Sequence, residues 1–290
     1  MKFLITGASS ALASQLVALL LKTDKFSFRL LEHHSKARIE SCETVSGDIN
    51  DSESMERACR GIDGVLHLAA LTHSRSNAEY FRVNRDGTRT LINACKKYDV
   101  KKFIFISSVA ASGDGGAYSL SKLESEELVC ESGLDWNILR PAEVYGPKLK
   151  EGISHLISWV ENLKFIPVIG NGAYTLSPVY IDDVLDAMAQ VITNPNLKNQ
   201  KLNLCGPEII SFNEIIDRLM RILNVRRQKI FIPVWIARLG MSLAAAMKLG
   251  SFTPDQIPRI LCRKNQDISH TKKLISYAPR KLEEGLRCYL

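Results

Sequence analysis

The chain has 290 residues, 46% of them apolar and 24% charged, enough for one large domain or two moderate ones sharing a cleft. Its net charge of +7 comes from Lys and Arg spread along the sequence, which suits small anionic ligands and argues against a dedicated nucleic-acid surface. The seven cysteines are scattered and form no C-x-x-C pair, which argues against a disulfide framework and a zinc site and predicts a reducing, cytoplasmic setting.

Short apolar runs at 2–6, 28–31, 43–46, 64–68, 102–106 and 135–139 read as strands. Helical patterns at 9–22, 52–59, 78–98 and 118–132 lie between most of them. This alternation predicts an α/β doubly wound parallel sheet with right-handed crossovers, its ligands beyond the carboxyl ends of the strands. Thr6-Gly7 interrupts the opening apolar run after three residues, so it does not read as a secretory signal.

After Pro141 the pattern loosens. Turns at 146–147 and 170–172 precede a strand at 177–181 and helices at 182–192, 212–223, 233–248, 254–262 and 281–288. These predict a smaller, helix-rich lobe over one end of the sheet. The apolar stretch 230–252 contains Pro233, Arg238 and Lys248, and so reads as a buried helix capping a cleft, not as a membrane span. A partner or membrane-surface role is its alternative reading.

The residues with chemical potential begin at the turn after the first strand. Gly7 allows a tight turn, and the following helix directs its first amides, around Ser9, Ser10, Ala11 and Leu12, at an anion. Ser10 and Ala13 occupy positions where glycines would permit the closest approach. Glu32 follows Gly7 by 25 positions, about where a carboxylate bonds a ribose 2′-hydroxyl, which favours NAD. His33, His34, Lys36 and Arg38 come next and suit the 2′-phosphate of NADP, so NADP stays open.

Tyr118 and Lys122 are four residues apart and share one helix face with Glu126. A nearby ammonium lowers a phenol's pKa from about 10 toward neutrality, equipping it for proton transfer. Ser108, at the end of a strand, is placed to hold a carbonyl oxygen. His67 reads as a hydrogen-bonded core residue, and His73, His155 and His270 have no metal-ligand spacing, so no metal is expected. Asp182 and Asp183 open a helix and suit its dipole.

Together these motifs resemble the extended short-chain dehydrogenases/reductases, the NAD-dependent epimerase/dehydratase family. The likeness rests on TGASSALA (6–13), SGDIND (46–51), VLHLAAL (65–71), VNRDGTRTLINAC (83–95), FISSVAASG (105–113), YSLSK (118–122), ILRPAEVYGP (138–147) and PVYIDDV (178–184). It implies a Rossmann-type NAD(P)-binding domain over 1–145 and a substrate-binding lobe over 146–290, interleaved as one structural unit. It places Asp48 and Ile49 near an adenine, and Leu68, Ala69 and Ala70 along the cofactor cleft. Ser108, Tyr118 and Lys122 become the catalytic triad, with Lys122 also holding the nicotinamide ribose. Asn84 supports that network, Pro141 lies against the nicotinamide, and Val144 is nearby. The family's T-G-x-x-G-x-x-G pattern lacks its second and third glycines here.

The family's 4,6-dehydratases carry an Asp-Glu pair after the active-site hydroxyl residue, whereas Ser108 is followed by Val109 and Ala110. The resemblance therefore implies hydride transfer without elimination, by a ketoreductase or epimerase acting on a nucleotide-activated sugar. Leu176 stands where the family commonly has an arginine for the diphosphate, with Lys148, Lys150 and Lys164 as substitutes. Two alternatives remain. One is an oxidoreductase for a lipid or sterol-like substrate. The other is a non-catalytic NAD(P)H-binding accessory protein, as in the branch related to a subunit of respiratory complex I. In much of the family a helix pair containing the tyrosine segment forms a homodimer interface. No nucleic-acid partner and no stable membrane insertion are expected.

Overall fold

The computed structural model describes residues 1–36, 39, 41–149, 151–247 and 253–290. Arg38, Lys150 and the end of the apolar stretch at 248–252 lie outside the described residues.

The first strands are β1 (Lys2–Thr6), β2 (Ser27–Glu32), β3 (Glu43–Ser46), β4 (Gly64–His67), β5 (Lys102–Ile106) and β6 (Asp135–Pro141); buried apolar runs build all but β3, a mostly exposed edge strand. They alternate with α1 (Ala11–Leu21), α2 (Ser52–Cys59), α3 (Asn77–Tyr80), α4 (Gly87–Lys97) and α5 (Gly116–Cys130). β7 (Val144–Tyr145), α6 (Ile153–Asn162), β8 (Phe165–Ile169), β9 (Thr175–Leu176), β10 (Val179–Tyr180) and α7 (Ile181–Thr193) follow. The remainder comprises β11 (Gln200–Leu204), β12 (Ile210–Ser211), α8 (Phe212–Ile222), β13 (Gln228–Ile232), α9 (Val234–Ala246), α10 (Gln256–Leu261), α11 (Ser269–Leu274) and α12 (Leu282–Tyr289).

Seven strands form one parallel sheet in the order β11-β6-β5-β4-β1-β2-β3. A parallel sheet buries both faces, and this one has two cores. One gathers α1, α6 and α7 around Leu16, Val17, Val184 and Met188. The other gathers α2 and α4 around Met55, Ala58, Leu91 and Cys95. The order reverses direction between β1 and β4, so the crevice of this sheet opens at the carboxyl ends of those strands.

Four observed features differ from the sequence reading. The helix expected over 78–98 is split by a π-helical turn at Phe81–Asp86, where the Gly87 amide bonds the Arg82 carbonyl. The extra residue in that turn places Asn84 inside, and the hydroxyls of Thr88 and Ser125 bond its carbonyl at 2.5 and 3.0 Å. The strand expected at 177–181 is confined to Val179–Tyr180, paired with β7. The sheet's last strand, β11, was unforeseen and comes from beyond residue 146. The helix over 233–248 forms as α9 (Val234–Ala246), but it is not buried: Trp235, Leu239, Leu243 and Met247 are exposed.

Candidate functional site

The turn after β1 places Gly7 at φ +69°, in the left-handed region, and a Cβ there would lie 2.7 Å from the Ala69 amide nitrogen. Backbone therefore meets backbone where the loop crosses the end of β4, and only glycine fits. The Leu68 amide bonds the Thr6 carbonyl at 3.1 Å, and the Ala69 amide bonds the Thr6 hydroxyl at 3.1 Å. Gly7 thus meets the backbone of Leu68 and Ala69, which like Ala70 are half-buried.

Ser10 is the N-cap of α1, its hydroxyl accepting from the Ala13 amide at 3.2 Å. Ser9 and Ser10 are exposed, Ala11 and Leu12 half-buried, and no acidic residue occupies the first turn. The first-turn amides at Ala11 and Leu12 have no intrahelical acceptor. Ala13 is fully buried against the core, so its methyl fills space on the inner side of the helix, away from the loop's open face. This loop fits the pyrophosphate of a dinucleotide.

Glu32 ends β2, and its carbonyl accepts from the Gly47 amide at 2.9 Å. That bond aligns the β3 exit, where Asp48 accepts from the Asn50 amide at 2.9 Å and faces the His33 ring at 3.8 Å. The Asn50 amide bond is the main reason the Asp48 carboxyl sits below its ordinary pKa. Ile49 is buried behind it, against Gly87. The His33 and His34 rings lie against each other at a tilt of 41°, with centroids 3.7 Å apart.

A buried relay runs beneath this edge. The Thr6 hydroxyl lies 2.7 Å from Nδ1 of His67, whose Nε2 lies 2.8 Å from the Thr88 hydroxyl. Because the Thr88 hydroxyl donates to the Asn84 carbonyl, it accepts from His67, which assigns the proton to Nε2. Burial, with Lys122 adding to it, pushes the His67 pKa down to about 3, so the ring is neutral. Asn84 accepts from the Leu71 amide at 2.7 Å and donates to the Leu71 carbonyl at 3.1 Å and the Ser121 hydroxyl at 3.0 Å. It fastens the chain after β4 to the helix carrying Tyr118.

On α5, Tyr118 and Lys122 are both buried. The Lys122 ammonium donates to the Ile106 carbonyl at 2.7 Å and lies 4.0 Å from the Phe105 ring centroid. Desolvation pulls its pKa down to about 7, opposed by Glu126. Glu126, one turn on and fully buried, accepts from Ser107 at 2.5 Å and is clamped through both oxygens by Arg140. Lys201, from β11, lies 3.6 Å away. Ser108 is half-buried beyond β5, and its hydroxyl accepts from the Ala110 amide at 3.1 Å. Pro141 is buried at the end of β6, and Val144 is half-buried in β7.

Tyr118 departs from the sequence expectation of a lowered pKa. Burial raises it, and the leading opposing charge is Arg259, whose guanidinium stands 4.7 Å from the ring centroid. Tyr80 meets the ring edge-on at 6.0 Å. Arg259 comes from α10 and is held by the Thr72 carbonyl at 3.1 Å. Asp255, just before α10, accepts from the Tyr118 amide at 3.3 Å. It caps α5 from 137 residues away, since the helix's own N-cap is Gly115, without a side chain. Gly116, at φ +87°, makes room, because a Cβ there would lie 2.4 Å from the Asp255 carboxylate.

Sequence reasoning missed Asp255 and Arg259, because nothing local in the predicted helix 254–262 signals a contact with Tyr118. Asp255→Ala is expected to cost about 1 kcal/mol, a fall of about 2 °C in Tm by calorimetry. An unchanged Tm would contradict the capping role.

Elsewhere the expected residues lie apart from this cluster. Leu176 is buried in β9, paired with Ile210. Lys148 and Lys164 are exposed. Asp183 accepts from the Arg280 amide at 2.8 Å and pairs with its guanidinium at 3.4 Å, anchoring the C-terminal segment. No His, Cys, Asp or Glu group suited to a metal occurs among the described residues.

Residues 3–205 match the family model described as the NAD dependent epimerase/dehydratase family. A UDP-glucose 4-epimerase of Vibrio cholerae is 27% identical, over 98% of this chain and 93% of the relative. The 3beta-hydroxysteroid-dehydrogenase/decarboxylase isoform 1 of Arabidopsis thaliana is 25% identical, over 98% of this chain and 77% of the relative. The crystal structure of UDP-glucuronic acid 4-epimerase from Bacillus cereus, in complex with UDP-glucuronic acid and NAD, superposes with a TM-score of 0.79. It covers 99% of this chain and 97% of its own, and at 24% identity it establishes likeness of fold.

Proposed function

The chain belongs to the NAD dependent epimerase/dehydratase family, and from that premise we propose that it is an NAD-dependent ketoreductase or epimerase of nucleotide-activated sugars. The observation that supports the reading is that Tyr118 and Lys122 lie one helical turn apart on α5, both buried, with the Lys122 ammonium bonded to the Ile106 carbonyl at the carboxyl end of β5.

Each residue then has a task. Gly7, Ser9, Ser10, Ala11 and Leu12 hold the pyrophosphate, Glu32 the adenosine ribose, and Asp48 and Ile49 the adenine. Leu68, Ala69 and Ala70 line the cofactor cleft, with Pro141 and Val144 at its nicotinamide end. NAD, when bound, supplies the hydride acceptor and donor. Ser108 positions the substrate oxygen, Tyr118 exchanges a proton with it, and Lys122 holds the ribose, while Arg259 opposes the upward pull of burial on the phenol. Asn84 acts indirectly, by fixing the Leu71 backbone against α5. The apolar Val109 and Ala110 beside Ser108 favour redox chemistry without elimination. Seven free cysteines suit a reducing, cytoplasmic setting.

A second reading is oxidation of a lipid or sterol-like alcohol. It is favoured by the burial of Leu176 where a diphosphate-binding arginine would stand, and by the steroid relative.

Incubation with NAD and either UDP-glucose or UDP-N-acetylglucosamine is expected to yield the 4-epimer, or, with a 4-keto sugar nucleotide and NADH, its reduction. UDP is expected to compete. Turnover of sterol alcohols combined with indifference to UDP would replace the first reading with the second.

A further inference from the structure

Twelve large apolar side chains are exposed among the described residues, and nine of them fall at 163–165, on β13, or from Trp235 to Met247. Monomeric proteins rarely gather exposed apolar groups in this way without a use for them. β8 and β13 form a parallel pair of their own, apart from the main sheet, and β13 leads directly into α9.

On α9 the exposed residues follow helical geometry. Trp235, Leu239, Leu243 and Met247 recur every four residues, and Ile236 falls inside the same sector of about 120°. Trp235 and Met247 are each 68% exposed. The opposite side of the helix, at Val234, Ala237 and Met241, is half-buried. A helix apolar on both sides, with its larger residues outward, is built to be covered.

Charge identifies the cover. From Arg218 to Pro254 the sequence has seven basic residues and no Asp or Glu. Arg226 and Lys164 are exposed where the two strands begin, and Arg238 is exposed on α9. None of these three makes an ion pair with a described carboxylate. The flanking acids are already engaged, Asp217 with Lys229 at 2.7 Å and the buried Asp255 with the Tyr118 amide. Two copies meeting through this face about a two-fold axis would set unpaired cations against unpaired cations. An anionic lipid surface meets both needs, accepting the apolar stripe and neutralising the rim. No helix of the described residues is long and apolar enough to cross a membrane, so the contact is peripheral.

We propose that α9 and β13 form a docking face for anionic phospholipid bilayers. α9 packs on α10, whose Arg259 covers Tyr118, so docking brings the catalytic edge close to the lipid surface.

The test is co-sedimentation of the full chain with vesicles of phosphatidylcholine alone and with about one third phosphatidylglycerol added. Binding to the anionic vesicles is expected to exceed that to neutral ones by about tenfold or more and to weaken with salt. The double variant Trp235→Glu, Leu239→Glu is expected to lose binding while keeping its circular dichroism and NADH affinity, since both side chains lie in solvent. Failure of the wild type to sediment with anionic vesicles overturns the proposal. So does wild type that elutes as a dimer where the double variant elutes as a monomer, which assigns the face to a second copy.

Discussion

Tyr118→Phe is expected to lower kcat about a thousandfold while leaving fold and cofactor affinity in place. The substitution removes one hydroxyl and keeps the ring, so the edge contact with Tyr80 and the stacking of Arg259 survive. The backbone amide that Asp255 caps is also untouched. The loss therefore belongs to proton transfer and not to packing. Because burial holds the phenol above its ordinary pKa, the resting side chain is protonated and suited to donate to a carbonyl oxygen. Retained turnover in the variant, with intact NADH binding, would remove Tyr118 from the mechanism.

Lys122→Met is expected to separate activity from stability in opposite directions. Burial lowers the folded-state pKa of Lys122 from 10.5 to about 7, so between those values the folded protein binds fewer protons than the unfolded chain. Stability from this group therefore rises with pH across that window, and its penalty is complete below about pH 7. Methionine matches the lysine's length and carries no charge to desolvate. The variant forfeits the bond to the Ile106 carbonyl and the contact with Phe105, which reduces the net gain to about 2 kcal/mol at pH 7. Its unfolding should lose pH dependence between about 7 and 10, while turnover falls at least about a hundredfold. A lower Tm in the variant would show that the buried ammonium stabilises the fold.

The central sheet was legible because buried parallel strands are short apolar runs, and β1 and β5 form over the expected residues; β3 also does, although it is a mostly exposed edge strand. β11 was not, since Gln200, Lys201 and Asn203 give QKLNL the polarity of a loop. It is an edge strand, and Lys201 also serves the Glu126 cluster. The π-helical turn escaped notice because apolar periodicity does not report one inserted residue, while the hydroxyls that fix it come from other turns and helices. At the site, residues at strand ends were readable, since topology places Gly7, Leu68, Ser108 and Pro141 along one edge. Asp255 and Arg259 were not, because their meaning depends on a contact with α5 that no local pattern encodes. The outward stripe of α9 was misread for a related reason: helical spacing reports a face without saying what covers it.

The most direct test of the working cofactor loop is to denature the purified protein and identify any released nucleotide, then titrate the stripped protein with NADH and NADPH. NAD(H) is the nucleotide expected, and NADH is expected to bind about tenfold more tightly than NADPH because the Glu32 carboxylate repels a 2′-phosphate. Tightly held NAD would mark an epimerase, and exchangeable NADH a ketoreductase. Binding of neither form would contradict the account, showing that with Ser10 and Ala13 in place of glycines the loop no longer holds a dinucleotide.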